Sequence, residues 1–189
     1  MLIKLLSDTD KKFLVKVAKL LALSDKPLLW DGKTADELTS GTDLTALSIQ
    51  EGEQERELIA DMEGATPEHR NLFGIVTFSD EICDRLVEVL KTFPITKVEK
   101  PESRVQAATT VLKELLKDKK FELPTAPKVI LFELLLVALR DGHISSIEWA
   151  LLKEYQRHFQ LEDFIFDDLL ERAETLNKEV SKTISIILE

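Results

Sequence analysis

The sequence predicts an all-α protein, a compact bundle of seven to nine helices. Three observations carry this. The six glycines and six prolines in 189 residues are about half the usual share of chain breakers. Leu, Glu and Lys are abundant while Tyr is almost absent, which favours helix over sheet. Apolar residues recur at three- and four-residue steps along most of the chain. At 44% apolar residues the chain can bury a sizeable core without a disulfide or cofactor.

The elements follow in order. Ser7, with acids at 8 and 10, opens a helix through KKFLVKVAKLLAL that stops before Pro27. TADE (34–37) carries the capping-box pattern of a short helix. The stretch 41–64 reads as a turn and then a strongly acidic helix ending near Gly64. Thr66-Pro67-Glu68 signals a helix start, and NLFGIVTF (71–78) is read as helical. SDEICDRLVEVLKTF starts at a Ser cap and ends at Pro94. The segment 94–101, PITKVEKP, is the connector candidate. The chain is thus one helical domain over 1–189, or two packed halves, 1–94 and 101–189. Helices are then expected over 102–120, 126–141, 146–159 and 162–179, with VSKTISIILE either extending the last one or adding another. The run 126–141 is apolar almost all round, the mark of a central helix.

A faint repeat runs through this order. Shifted by 116 residues, KFLVKVAKLLALSD (12–25) lies over KVILFELLLVALRD (128–141). Two similar helix–acid–turn units point to pseudo-symmetric helix-turn-helix halves.

Function classes are bounded by charge and by missing motifs. A net charge of −10 argues against nucleic acid and anionic bilayers. The lone Cys83 fits a reducing compartment. The N-terminus lacks signal-peptide character, and the longest near-apolar run, 129–139, is too short for a membrane span. A cytoplasmic protein is expected. The glycines lie too far apart for a dinucleotide fingerprint or a phosphate-binding loop. His69, His143 and His158 are scattered, so the usual zinc pattern is absent. No catalytic constellation appears, and a non-enzyme is expected.

One stretch carries chemistry: DGHISSIE, Asp141–Glu148. Aligned with an EF-hand loop, Asp141, Gly142, Ile144 and Glu148 fall at positions five, six, eight and twelve. Positions one and three fall on Val137 and Leu139, which cannot ligate a cation. The same residues also make a structural turn. Gly142 supplies a left-handed residue ending one helix, Ser145 caps the next, and Glu148 completes an S-x-x-E box. Both readings stand at this level. Asp163, Asp167 and Glu171, spaced along one helix face, and the acidic stretch 51–63 are read as solvated faces or ligand faces. Trp30 and Trp149 follow the two repeated turns and are expected in the core, with an exposed partner-binding anchor as the alternative.

The segment FELLLVALRDGHISSIEWALLKEYQRHFQLEDFIFDDLLE (132–171) resembles the TerB-like family, named for bacterial tellurite-resistance proteins; the resemblance is weaker over 3–30. Members carry an apolar helix, a D-G-x-I/V-x-x-x-E turn, a second helix, a short break and a third helix. The resemblance implies a divalent cation, Ca²⁺ or Mg²⁺, held by acids of the turns. Residue by residue, these are Asp141 and Glu148 and, less strongly, Asp25 and Asp31. In the first turn Lys26 stands in place of the glycine, Pro27 follows, and Gly32 stands where the second acid would be. The implied setting is bacterial stress response, with action by association with protein partners or with itself. The alternative is a metal-free protein-interaction scaffold.

Overall fold

The computed structural model describes residues 2–64 and 78–188. Within them lie eight α-helices: α1 (Asp8–Leu23), α2 (Glu53–Gly64), α3 (Phe78–Leu90), α4 (Ile95–Val98), α5 (Pro101–Leu116), α6 (Ala126–Ala138), α7 (Ser146–His158) and α8 (Asp163–Leu188). The all-α expectation holds, and the helix ends sit where the chain chemistry puts them. Ser7 Oγ accepts from the Asp10 N–H at 3.3 Å, capping α1. Pro101 occupies the first turn of α5, where its missing N–H costs nothing. Thr34 and Glu37 form the expected capping box, but over a single 3₁₀ turn, Ala35–Glu37. The C-terminal stretch continues α8 to Leu188.

The helices pack as layers around α1 and α6. α1 lies against α2, α3, α5 and α6; α6 in turn contacts α7 and α8; α5 bridges α3 and α7. Leu14, Leu20, Leu23, Ile130, Leu131 and Leu135 are fully buried between them. The two repeated segments, 12–25 and 128–141, are therefore neighbours in space. Their equivalence stops at the first turn. Pro27 ends helical continuation there and the chain runs into β1 (Leu28–Trp30), which pairs antiparallel with β2 (Leu47–Ile49) in the register Leu28↔Ile49, Trp30↔Leu47. Leu28, Trp30, Leu47 and Ile49 point inward and Ser48 outward, the two-residue alternation of a half-buried ribbon.

Two expectations change in detail. The connector candidate 94–101 is occupied by α4, whose Val98 is buried, so this segment packs instead of merely linking. The acidic helix begins at Glu53, because 47–49 is taken by β2. The expected helix start at Thr66-Pro67-Glu68, and 71–77 of the run read as helical, lie outside the described residues; Phe78 opens α3. Of the two tryptophans, Trp30 is in the core, whereas Trp149 is 39% exposed and stands edge-on to Phe166 at 5.5 Å.

Candidate functional site: the paired acidic turns

The first turn closes α1. Ser24 Oγ donates to the Leu21 carbonyl at 2.8 Å, leaving the carbonyls of the last turn in need of donors. A glycine just past the helix end normally helps to satisfy them; here Lys26 stands in its place. The Lys26 N–H donates to Leu23 O at 3.3 Å, and further donors come from α5. Arg104, buried, donates to Leu23 O (3.3 Å), Ser24 O (2.7 and 3.1 Å) and Lys26 O (2.8 Å). The guanidinium is planar and carries several fixed donors, so one side chain can cap several carbonyls. Burial lowers its proton affinity, while Asp25 and Glu99 act in the opposite sense and favour the charge.

The second turn closes α6 and opens α7. Gly142 takes φ +85°, the left-handed conformation expected of it, and its N–H donates to Leu139 O at 2.9 Å. Asn177 of α8 donates to the same carbonyl at 2.8 Å. Ser145 then caps α7. Its Oγ accepts from Glu148 N at 3.3 Å, and Glu148 Oε2 accepts from Ser145 N at 2.8 Å. This is the reciprocal box that the sequence suggested. Ile144 packs against the core.

Because α1 packs beside α6, the turns face one another. Asp25, Lys26, Arg140, Asp141 and Glu148 line a pocket of about 20 Å³, enough for one water-sized occupant. Three of the four candidate site residues, Asp25, Asp141 and Glu148, thus share one pocket. Asp31 does not join them. It sits exposed after β1 at φ +52°, its N–H bonded to Ala46 O at 2.9 Å.

The electrostatics of the pocket are uneven. Asp25 and Asp141 lie at its exposed rim and Glu148 is 8% exposed. Burial pushes the Glu148 carboxyl up to about 7; the Ser145 hydrogen bonds oppose this, and the negative charges of Asp25 and Asp141 add to it. A cation is already built in, for Lys26 Nζ stands 3.7 Å from Asp141 Oδ2. Glu148 Oε2 is also committed to Ser145. Among the described residues, no group of three or more His, Cys, Asp or Glu side chains is placed to hold a metal ion. The arrangement is suited to taking up one proton and to locking two turns together.

A pH dependence follows from the raised carboxyl. The unfolded chain loses this proton near the ordinary 4.5, whereas the folded protein keeps it until about 7. Between those values the native state binds the extra proton, so stability falls as pH rises through the window. Glu148→Gln keeps an acceptor for Ser145 and removes the charge. After discounting for solvent at the pocket mouth, its advantage over the parent should grow from near zero at pH 4 to on the order of 1–2 kcal/mol at pH 8. Denaturant melts across this range test it; a difference that does not vary with pH would exclude the effect.

Several of the other acidic candidates are accounted for locally. Asp163, Asp167 and Glu171 are exposed on α8, and Asp163 Oδ1 accepts from Gln156 Nε2 at 2.8 Å. Glu51, ahead of α2, pairs with the buried Lys19 of α1. Arg104 escaped the sequence reading, although a signal existed. It stands four and seven residues before Ala108 and Val111, both buried, so it occupies the inward face of α5.

Compared with family models, curated proteins and solved structures, the chain has no match in any of the three.

Proposed function

We propose that this chain is a TerB-like helical module that acts by association with protein and not by turnover, with its acidic turns serving as a self-neutralised latch. The observation that carries this reading is the second half of α8. The first half is anchored by Phe166 and Ala173, both fully buried. Past Asn177 the helix runs on to Leu188 with every residue exposed. Val180, Ile184 and Ile187 recur there at helical spacing and continue the line of Leu176 just before it, at 45% to 75% exposure. A contiguous apolar stripe of this kind marks an interaction surface, since single scattered apolar residues are what ordinary surfaces show. The setting implied by the TerB resemblance, a bacterial cytoplasm and the response to tellurite or related stress, belongs to the same proposal.

A photo-crosslinking residue at position 184 in the cell tests association. Crosslinks to protein are expected; their absence at saturating illumination would remove the reading.

A second reading is favoured by Glu148 alone. Burial, and to a smaller extent the charges of Asp25 and Asp141, raises that carboxyl, and a divalent cation bound by Asp25, Asp141 and Glu148 would offset both. Such an ion at about 100 times its dissociation constant would add roughly 2.7 kcal/mol, a rise of roughly 5–10 °C in melting temperature. With Lys26 already beside Asp141, we expect no rise for chelator-treated protein given Ca²⁺ or Mg²⁺. A rise that Asp141→Ala abolishes would make the turns a cation site after all.

A further inference from the structure

We propose that the connection 117–125, between α5 and α6, is a strap latched by a ligand that the chain supplies itself. Lys119 fills an alkylammonium cage built by Asp10, Phe13 and Phe121, and the strap opens when that ammonium leaves.

The cage joins two distant parts of the chain. Asp10 and Phe13 stand three residues apart in the first turns of α1 and so share a face. Both are buried, Asp10 to 1% exposure. Phe121 comes from the strap. It meets Phe13 edge-on at 5.7 Å and lies 4.8 Å from Phe159 at the end of α7. The Lys119 ammonium stands 5.1 Å from the Phe13 centroid and 4.7 Å from that of Phe121. It donates to Asp10 Oδ1 at 2.6 Å. Two rings and a carboxylate around one ammonium is an arrangement that recognises organic cations: the rings attract the charge and the carboxylate neutralises it. The Lys119 side chain keeps 14% of its surface in solvent, so the cage has a mouth through which a cation from solution can enter.

This contact is what fixes the strap to α1. Thr9 adds a bond to Glu122 at 3.5 Å, too long to be strong. Lys117, Asp118, Lys120 and the stretch from Glu122 to Thr125 are exposed.

Two observations leave the latch poised to open. First, Asp10 Oδ2 is buried without a hydrogen-bond partner among the described residues. A buried ion pair is only weakly favourable even when every lone pair is met, and here one oxygen is not. Opening returns both charges to water. Second, Asp118, next to the latch, is held at φ +61°. That left-handed conformation is uncommon for a residue with a side chain and persists while surrounding contacts enforce it. Release of Lys119 lets it relax. The strap therefore has a local equilibrium of its own, separate from unfolding of the core it crosses.

Chymotrypsin cleavage of the folded full chain after Phe121, followed by mass spectrometry, reads the opening, with a free peptide of the same stretch as the control for protease activity. In the parent the rate should stay nearly flat in urea below global unfolding, the sign of a local opening. Lys119→Ala should speed the cut at least ~10-fold, a tenfold shift in the opening equilibrium. Ethylammonium chloride at ~100 mM should slow it again by refilling the cage, and sodium chloride at the same strength should not. Asp10→Asn added to Lys119→Ala should abolish that rescue. A parent cut only in step with global unfolding would overturn the strap. A rate unchanged by Lys119→Ala would overturn the latch, and ethylammonium that protects no better than sodium would overturn the cage. If the alanine variant does not fold, Lys119→Met, which keeps the apolar stem and loses the ammonium, must show the same local acceleration.

Discussion

Phe166→Ala will destabilise the protein by about 3–5 kcal/mol, the usual range for deleting a buried aromatic ring. The ring is fully buried near the start of α8. Trp149 meets it edge-on at 5.5 Å and the Lys153 ammonium sits 3.6 Å from its centroid. Truncation leaves a cavity under α8 and takes a cation–π partner from Lys153. For a chain of this size the melting temperature should drop by roughly 10 °C. Phe166→Leu should recover most of the loss, since it refills the volume and forgoes only the ring contacts. Thermal and denaturant melts of both variants decide the matter. A loss below about 1 kcal/mol for alanine would mean that α8 is not anchored through this ring, and the exposed stretch beyond it would have no fixed base.

Arg104→Ala should cost about 3 kcal/mol, and Arg104→Lys nearly as much. The guanidinium satisfies three carbonyls at the end of α1 in a 6%-exposed position. Hydrogen bonds from a charged donor contribute about 1.5–3 kcal/mol each before non-additivity, and carbonyls left dry are penalised in turn. A lysine offers a point charge and cannot span the three acceptors. The effect should also be local. Amide exchange in the last turn of α1 and at residues 24–28 should accelerate before that of α6. Uniform acceleration across the chain would argue that Arg104 is a packing residue and nothing more. An unchanged melt would contradict the capping role altogether. The prediction bears on function because this cap holds Asp25 and Lys26 opposite Asp141 and Glu148.

Much of this was legible from residue order. Ser7, Gly142 and the Ser145–Glu148 pair mark helix ends through contacts that span only a few residues. Such signals survive without knowledge of the fold. The two three-residue strands were not legible, because LLW and LSI are too short to express a period of two and they pair across a 16-residue connection. Asp141 and Glu148 could be nominated from their spacing, and Asp25 from the repeat.

What each of them does was decided elsewhere. Whether Asp25, Asp141 and Glu148 meet depends on α1 packing beside α6, and Asp31, nominated only through the family resemblance, is carried away by the strand that begins after Pro27. Lys26 read as a missing glycine in the sequence; in the fold it is the ammonium beside Asp141. Arg104, nearly eighty residues from the turn it closes, had no local partner to betray its role. The division has one physical cause. Caps, turns and amphipathic stripes are set by neighbours in the chain, so the amino-acid sequence by itself determined an all-helical protein and the places where its helices end. Burial, charge compensation and the raised carboxyl of Glu148 come from groups far apart in the chain, and only the tertiary packing brought them together.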